Sequence, residues 1–196
     1  MGLRKISQEE LEDILKKHKK WLNNQNGGER ANLIDADLSY LNFKKVDLRC
    51  AKMTSVNLTH ADLTDTVLKN ADLRSANLTD TVLKNADLTD TNLAFANLKR
   101  ANLKGTDLTN TTIWDTIFSN AGGKSIISIQ LNTSVENRVI NYIPEIDWVS
   151  AGCFRGTLEE LKNKVKYTHS DNEKIRKRYE KAIEFIEFLK KEYENE

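Results

Sequence analysis

At 196 residues the chain has room for one repeat array and one small globular unit. Charged residues make up 30% and hydrophobic ones 39%, and no apolar run approaches the roughly 20 residues of a membrane span, so no membrane association is predicted. The formal net charge of +1 argues neither for nor against nucleic acid, and two cysteines a hundred residues apart, Cys50 and Cys153, exclude a disulfide framework.

Residues 1–30 read as a helix and a turn, acting as a cap. The first residues lack the apolar core of a secretory signal, so a cytoplasmic location is expected. Ser7 with Glu10 forms a capping-box pattern, and the helix is predicted to begin just after Ser7. Leu11, Ile14, Leu15, His18, Trp21 and Leu22 share one face at helical spacing, and Gly27-Gly28 stops the element. A helix of about 16 residues is marginal alone in water, so its stripe needs a surface, and the open end of the following segment is the nearest. The run Lys16-Lys17-His18-Lys19-Lys20 reads as a solvated helix face balanced by Glu9, Glu10, Glu12 and Asp13, with a phosphate contact as the alternative.

Residues 31–120 repeat in fives. Every fifth residue from Leu33 to Phe118 is Leu or another large apolar group, with Phe43, Met53, Ile113 and Phe118 replacing Leu. Two positions earlier sits Ala, Thr, Val or, once, Leu41, and between the two lies mostly Asp or Asn. A period of five fits neither an α-helix nor a long strand. Two apolar positions separated by two point the same way from a short extended segment, and the other residues must turn the chain. Such units bury side chains only by stacking on neighbours, which is solenoid logic.

The pattern resembles that of the pentapeptide repeat family, A(D/N)LXX. The resemblance implies a mainly β fold, a right-handed quadrilateral β-helix with four five-residue sides per coil. Residues 31–120 would then hold 18 units in about 4.5 coils, a tower of roughly 22 Å at ordinary strand spacing. An internal duplication, LTDTVLKNADL at Leu63–Leu73 and again at Leu78–Leu88, is displaced by 15 residues, or three sides. It is harmless only if all sides are built alike.

Residues 121–196 break the register at Ala121-Gly122-Gly123 and read as a small α+β module. Ile126–Leu131, Arg138–Ile143 and Trp148–Cys153 are strand-like. A helix over Leu158–Thr168 is capped by Thr157 with Glu160, and a second over Asp171–Tyr193 by Ser170 with Glu173. Ile175, Tyr179, Ala182, Ile186, Leu189 and Tyr193 form the buried stripe of the second helix, broadened by Ile183, Phe185 and Phe188. The stretch Gly152–Glu160, with Ala182–Ile186, also resembles a segment that follows pentapeptide arrays in uncharacterised bacterial and prophage proteins. Trp114 and Ile117 occupy array positions that are polar almost everywhere else, and the module is expected to cover them.

No set of residues converges on catalysis, so no enzyme, cofactor or metal is predicted and no catalytic, cofactor or metal residue is assigned. His18, His60 and His169 are dispersed. A Cys153–His169 nucleophile and base pair is outweighed by a buried structural thiol. His60 reads as a solvated corner residue. The array's aspartates tempt a calcium proposal, but Asn replaces Asp freely and the glycine-rich calcium nonapeptide is absent.

Some members of the family resemble B-form DNA and bind DNA gyrase. The array has 11 Asp and no Glu against 10 Lys plus Arg, whereas a 22 Å duplex carries roughly 13 negative charges. Direct nucleic-acid binding is not expected either, because residues 121–196 hold 13 basic and 13 acidic groups without a basic patch. The reading is a non-enzymatic scaffold or protein-interaction protein, its partner another protein of unknown identity and its state a monomer. The alternative is a DNA-mimic modulator of gyrase.

Overall fold

The computed structural model describes residues 2–124, 126–132, 137–151, 154–169 and 171–194. The chain divides into two compact units, Met1–Lys124 and Ser125–Glu196.

The first unit is a β-helix solenoid. Isolated parallel bridges join residues twenty apart, from Asn32 with Lys52 up to Asn102 with Gly122, so four five-residue units separate stacked partners. The central residues from Leu33 to Leu103 donate their N–H to the next coil, as in Leu33 to the Lys52 carbonyl at 2.7 Å and Leu73 to that of Asn92 at 2.8 Å. The chain turns by a bond from three residues on, for example Ala71 N–H to the Leu68 carbonyl at 2.9 Å. That turn needs a positive φ at its third residue. Asn70, Ser75, Asp80 and Asn85 all lie between 56° and 59°, and the other units repeat this.

The interior follows from the spacing by two. All the central side chains are buried, and so are the small residues beside them, apart from Leu41 and Val46 near the first turn of the solenoid. Six inward threonines, Thr66, Thr81, Thr91, Thr106, Thr111 and Thr116, are buried without a lost hydrogen bond. Each hydroxyl donates to the carbonyl 23 residues earlier, as Thr66 Oγ1 does to Phe43 at 2.7 Å. A buried hydroxyl bonded in this way escapes the desolvation cost of an unpaired polar group.

Before the solenoid, β1 (Arg4–Lys5) pairs in parallel with β2 (Ala36–Asp37), which covers part of the first coil's open edge. Helix α1 spans Gln8–Leu22. Ser7 Oγ accepts the Glu10 N–H at 3.1 Å, but the expected capping box is only half made. The Glu10 carboxylate turns instead to the Arg4 guanidinium at 3.2 Å, where an opposite charge outbids a neutral amide. The helix ends at Asn23, before the glycines rather than at them. Gly27, at φ 71°, turns the chain, and a Cβ on Gly28 would strike the Trp21 backbone. The glycines therefore let the chain pass close against α1. On the helix only Leu11 and His18 are fully buried, while Ile14, Leu15, Trp21 and Leu22 are half-buried. His18 Nδ1 accepts the Ala31 N–H at 3.1 Å, which docks α1 on the first coil.

The second unit is a four-stranded antiparallel meander, β3 (Ile127–Asn132), β4 (Asn137–Ile143), β5 (Trp148–Ala151) and β6 (Phe154–Gly156), in that spatial order. Strand β6 adds to the three strands anticipated. Helices α2 (Leu158–Thr168) and α3 (Glu173–Glu194) pack on the sheet around Ile140, Tyr142, Val149, Leu161, Tyr179 and Ile186. The Thr157–Glu160 capping box is complete. At α3, Asn172 Oδ1 accepts the Ile175 N–H at 3.1 Å, so Asn172 supplies the cap; Ser170 lies outside the described residues. Ile183 joins the core, whereas Phe185 and Phe188 do not, at 52% and 55% exposed, and they stack on each other.

Candidate interaction surface

The Asp and Asn residues that mark each unit have a local task. Their side-chain oxygen accepts the backbone N–H two residues on: Asp62 from Thr64 at 3.0 Å, Asn92 from Ala94 at 3.1 Å, Asn102 from Lys104 at 3.1 Å. A carboxylate and an amide oxygen serve this bond equally, which is why Asp and Asn interchange along the array. Among the described residues no group of His, Cys, Asp and Glu is placed to hold a metal ion.

Several carboxylates are further engaged by cations. Arg49 clamps Asp47 and Arg74 clamps Asp72, each at 2.7 Å, Lys44 reaches Asp62 at 3.0 Å, and Arg100 holds Asp80 at 2.6 Å. Hydrogen bonds from Arg74 hold Asp72 below the usual carboxylate range, and those from Arg100 do the same for Asp80. The most acidic column of units carries Asp47, Asp87, Asp90 and Asp107 against Arg49 and Lys69. No side is a polyanion.

The outer face nevertheless carries distinct patches. At one corner Tyr40 stacks on His60 with centroids 4.9 Å apart, His60 Nε2 lies 3.8 Å from Asp80, and Asp80 binds Arg100. These four residues are spaced by twenty and form a rail up the tower. At another, Trp114 packs on Phe95 at 4.8 Å, and Phe95 and Ile117 are 50% and 49% exposed. Trp114 thus finds an aromatic partner within the tower itself. A third patch lies beside α1, where Glu12, Leu15, Lys16, Lys19 and Leu22 face Lys45, Val46 and Arg49. The predicted basic run divides there: Lys17 pairs with Asp13 at 3.1 Å, His18 is buried, and Lys16 and Lys19 line the cleft.

The second unit offers less. A cleft of about 340 Å³ holds Asp147, Glu159, Lys162, Glu187 and Lys190, whose charges satisfy one another: Lys162 bridges Glu187 and Glu159, and Lys190 lies 3.7 Å from Asp147. His169 stacks on Tyr179 at 5.2 Å, while Cys153, the other half of the thiol–base pair, lies outside the described residues. Among the described residues no helix is long and apolar enough to cross a membrane.

Residues 29–70, 51–90 and 86–121 match the family model for pentapeptide repeats, in 8 copies. No curated protein matches the chain. Among solved structures, the chain is similar to HetL, a pentapeptide repeat protein involved in heterocyst differentiation regulation in the cyanobacterium Nostoc sp. strain PCC 7120. The two are 32% identical over 47% of this chain and 44% of HetL, with a TM-score of 0.45. A pentapeptide repeat protein of the Arabidopsis thaliana thylakoid lumen is 26% identical over 49% of this chain and 63% of its own, at a TM-score of 0.39. Another, from the cyanobacterium Cyanothece 51142, is 27% identical over 57% and 93%, at 0.33. The chain spans less than half the length of HetL.

Proposed function

We propose that this chain, whose residues 29–121 match the family model for pentapeptide repeats, is a non-enzymatic scaffold that binds another protein. In this reading residues 31–120 form a right-handed, four-sided tower of about 4.5 coils, residues 1–30 cap it, and residues 121–196 are a recognition or capping module. The twenty-residue register supports it. Stacking at that interval holds the backbone rigid and leaves the outward side chains free to vary without cost to the core.

The same reading keeps the protein monomeric and cytoplasmic, where the free Cys50 thiol stays reduced. Affinity capture from the host with the tagged, intact chain tests it: a specific protein partner is expected, and recovery of none overturns it. The DNA-mimic alternative needs a continuous acidic side, which the ion pairs of Asp47, Asp72 and Asp80 work against. A gyrase supercoiling assay separates the two. Inhibition at micromolar protein would favour the mimic, and no effect is expected.

A further inference from the structure

The cleft beside α1 has the chemistry of a binding site. It measures about 550 Å³, within the range of clefts that hold ligands. Leu15, Lys16, Lys19 and Leu22 recur at helical spacing and form one wall, and Lys45 and Val46 form the other. The apolar members, Leu15, Leu22 and Val46, are half-buried, so a recessed strip of hydrocarbon remains open to water. Val46 is one of only two small-position residues in the array that escape burial, and it escapes at this cleft.

The charges around the strip are unequally committed. Lys16, Lys19 and Lys45 are exposed and make no ion pair among the described residues. By contrast Arg49 is bound bidentately to Asp47, and Lys17, on the neighbouring face, is held by Asp13. Among the described residues Glu12 is the one acidic wall residue without a cation partner. The rim is therefore net positive, with three ammonium groups unspent above an apolar floor.

We propose that this cleft binds an acidic, amphipathic peptide segment of the scaffold's partner. Its apolar side chains lie on Leu15, Leu22 and Val46, and its carboxylates meet Lys16, Lys19 and Lys45. The proposal rests on the scaffold reading and names the surface it uses. Nucleic acid fits less well, since its phosphates bring no apolar side chain to Leu15, Leu22 and Val46. A membrane surface fits less well too, because the apolar residues are recessed behind exposed lysines rather than projecting past them.

The test uses the intact chain and a fluorescein-labelled Glu/Leu amphipathic peptide of about 14 residues, roughly four helical turns. Saturable anisotropy is expected, weakening with added salt. The K16Q/K19Q/K45Q variant alters only exposed side chains, and circular dichroism verifies its fold. It should bind about tenfold more weakly, the loss of a few surface charge contacts combined. A Glu/Ser peptide without leucines should not bind. Equal affinity for the variant, absence of saturable binding, or tighter binding of a DNA duplex or phosphatidylserine vesicles would overturn the proposal. Host capture with both proteins separates the two levels. A variant that retains the wild-type partner sinks the cleft and leaves the scaffold, whereas a wild type that captures nothing sinks the scaffold.

Discussion

Leu73 and Arg74 are neighbours in sequence with opposite consequences for stability. Leu73 is fully buried between coils, so Leu73→Ala should cost about 2–5 kcal/mol, and Leu73→Lys more. Arg74 makes a two-pronged clamp on Asp72, yet both side chains are solvated, and Arg74→Ala should cost less than about 1 kcal/mol. Urea unfolding of the two variants checks the contrast. The inward leucine was readable because its period admits no other use. The outward fifth position is mostly polar but carries a second signal. From Asp35 to Asn120 it holds no Val, Ile or Thr, although Thr is common one residue earlier. That gap is the mark of a left-handed backbone, which a β-branched side chain resists. Asn70, at φ 59°, should therefore tolerate Gly, whereas Asn70→Val should lose about 1–2 kcal/mol in the same assay.

At the scale of elements, α1 is held by one buried titratable ring. His18 stacks on Trp21 and accepts the Ala31 N–H through Nδ1, so the docked helix requires the neutral form. Burial lowers its pKa against the opposing pull of the Asp47 charge and a backbone hydrogen bond at Arg49, and the Arg30 and Arg49 charges lower it further. A released helix protonates at the ordinary histidine value of about 6.5. With the folded value depressed, docking is fully stabilised above that pH and weakens as pH falls through it towards the lower one. The lowered carboxylates of Asp72 and Asp80 act in the same direction, but only below about 3.9. Amide exchange in α1 should thus quicken between pH 7 and pH 5.5 relative to the tower. His18→Gln keeps an acceptor without a titrating proton and should flatten the difference. That α1 exists and begins at Ser7 was legible from its cap and period. That a histidine in its stripe would serve as a hydrogen-bond socket was not, because a buried ring and a solvated one have the same sequence signature. In the second unit the helices were legible for the same reasons as α1. Strand β6 was not, since three residues ending in a glycine carry too little alternation to register.

For the molecule as a whole, the decisive quantity is phase. Stacked residues are twenty apart, and the duplicated LTDTVLKNADL sits fifteen apart on different sides of the solenoid without disturbing it. Each unit therefore answers to its position within five and each column to its position within twenty. Removing residues 61–80 takes out one full coil and returns every later residue to the column it already occupies. The shortened chain should keep its β circular dichroism and melt cooperatively at a lower temperature, since a solenoid loses one nearest-neighbour interface at a time. Removing residues 61–78 takes out nearly as much surface but places Leu83 and the centres beyond it at turn positions. Its later coils should fail to form, with loss of the cooperative transition. Equal behaviour of the two deletions in thermal melts would mean that burial, rather than register, holds the tower together. The charge balance makes the same point about recognition. Because Arg49, Arg74 and Arg100 tie down the aspartates near them, the array's charge is locally balanced, which is why the proposed recognition is placed at a local patch, the lysines beside α1, rather than on a long-range field.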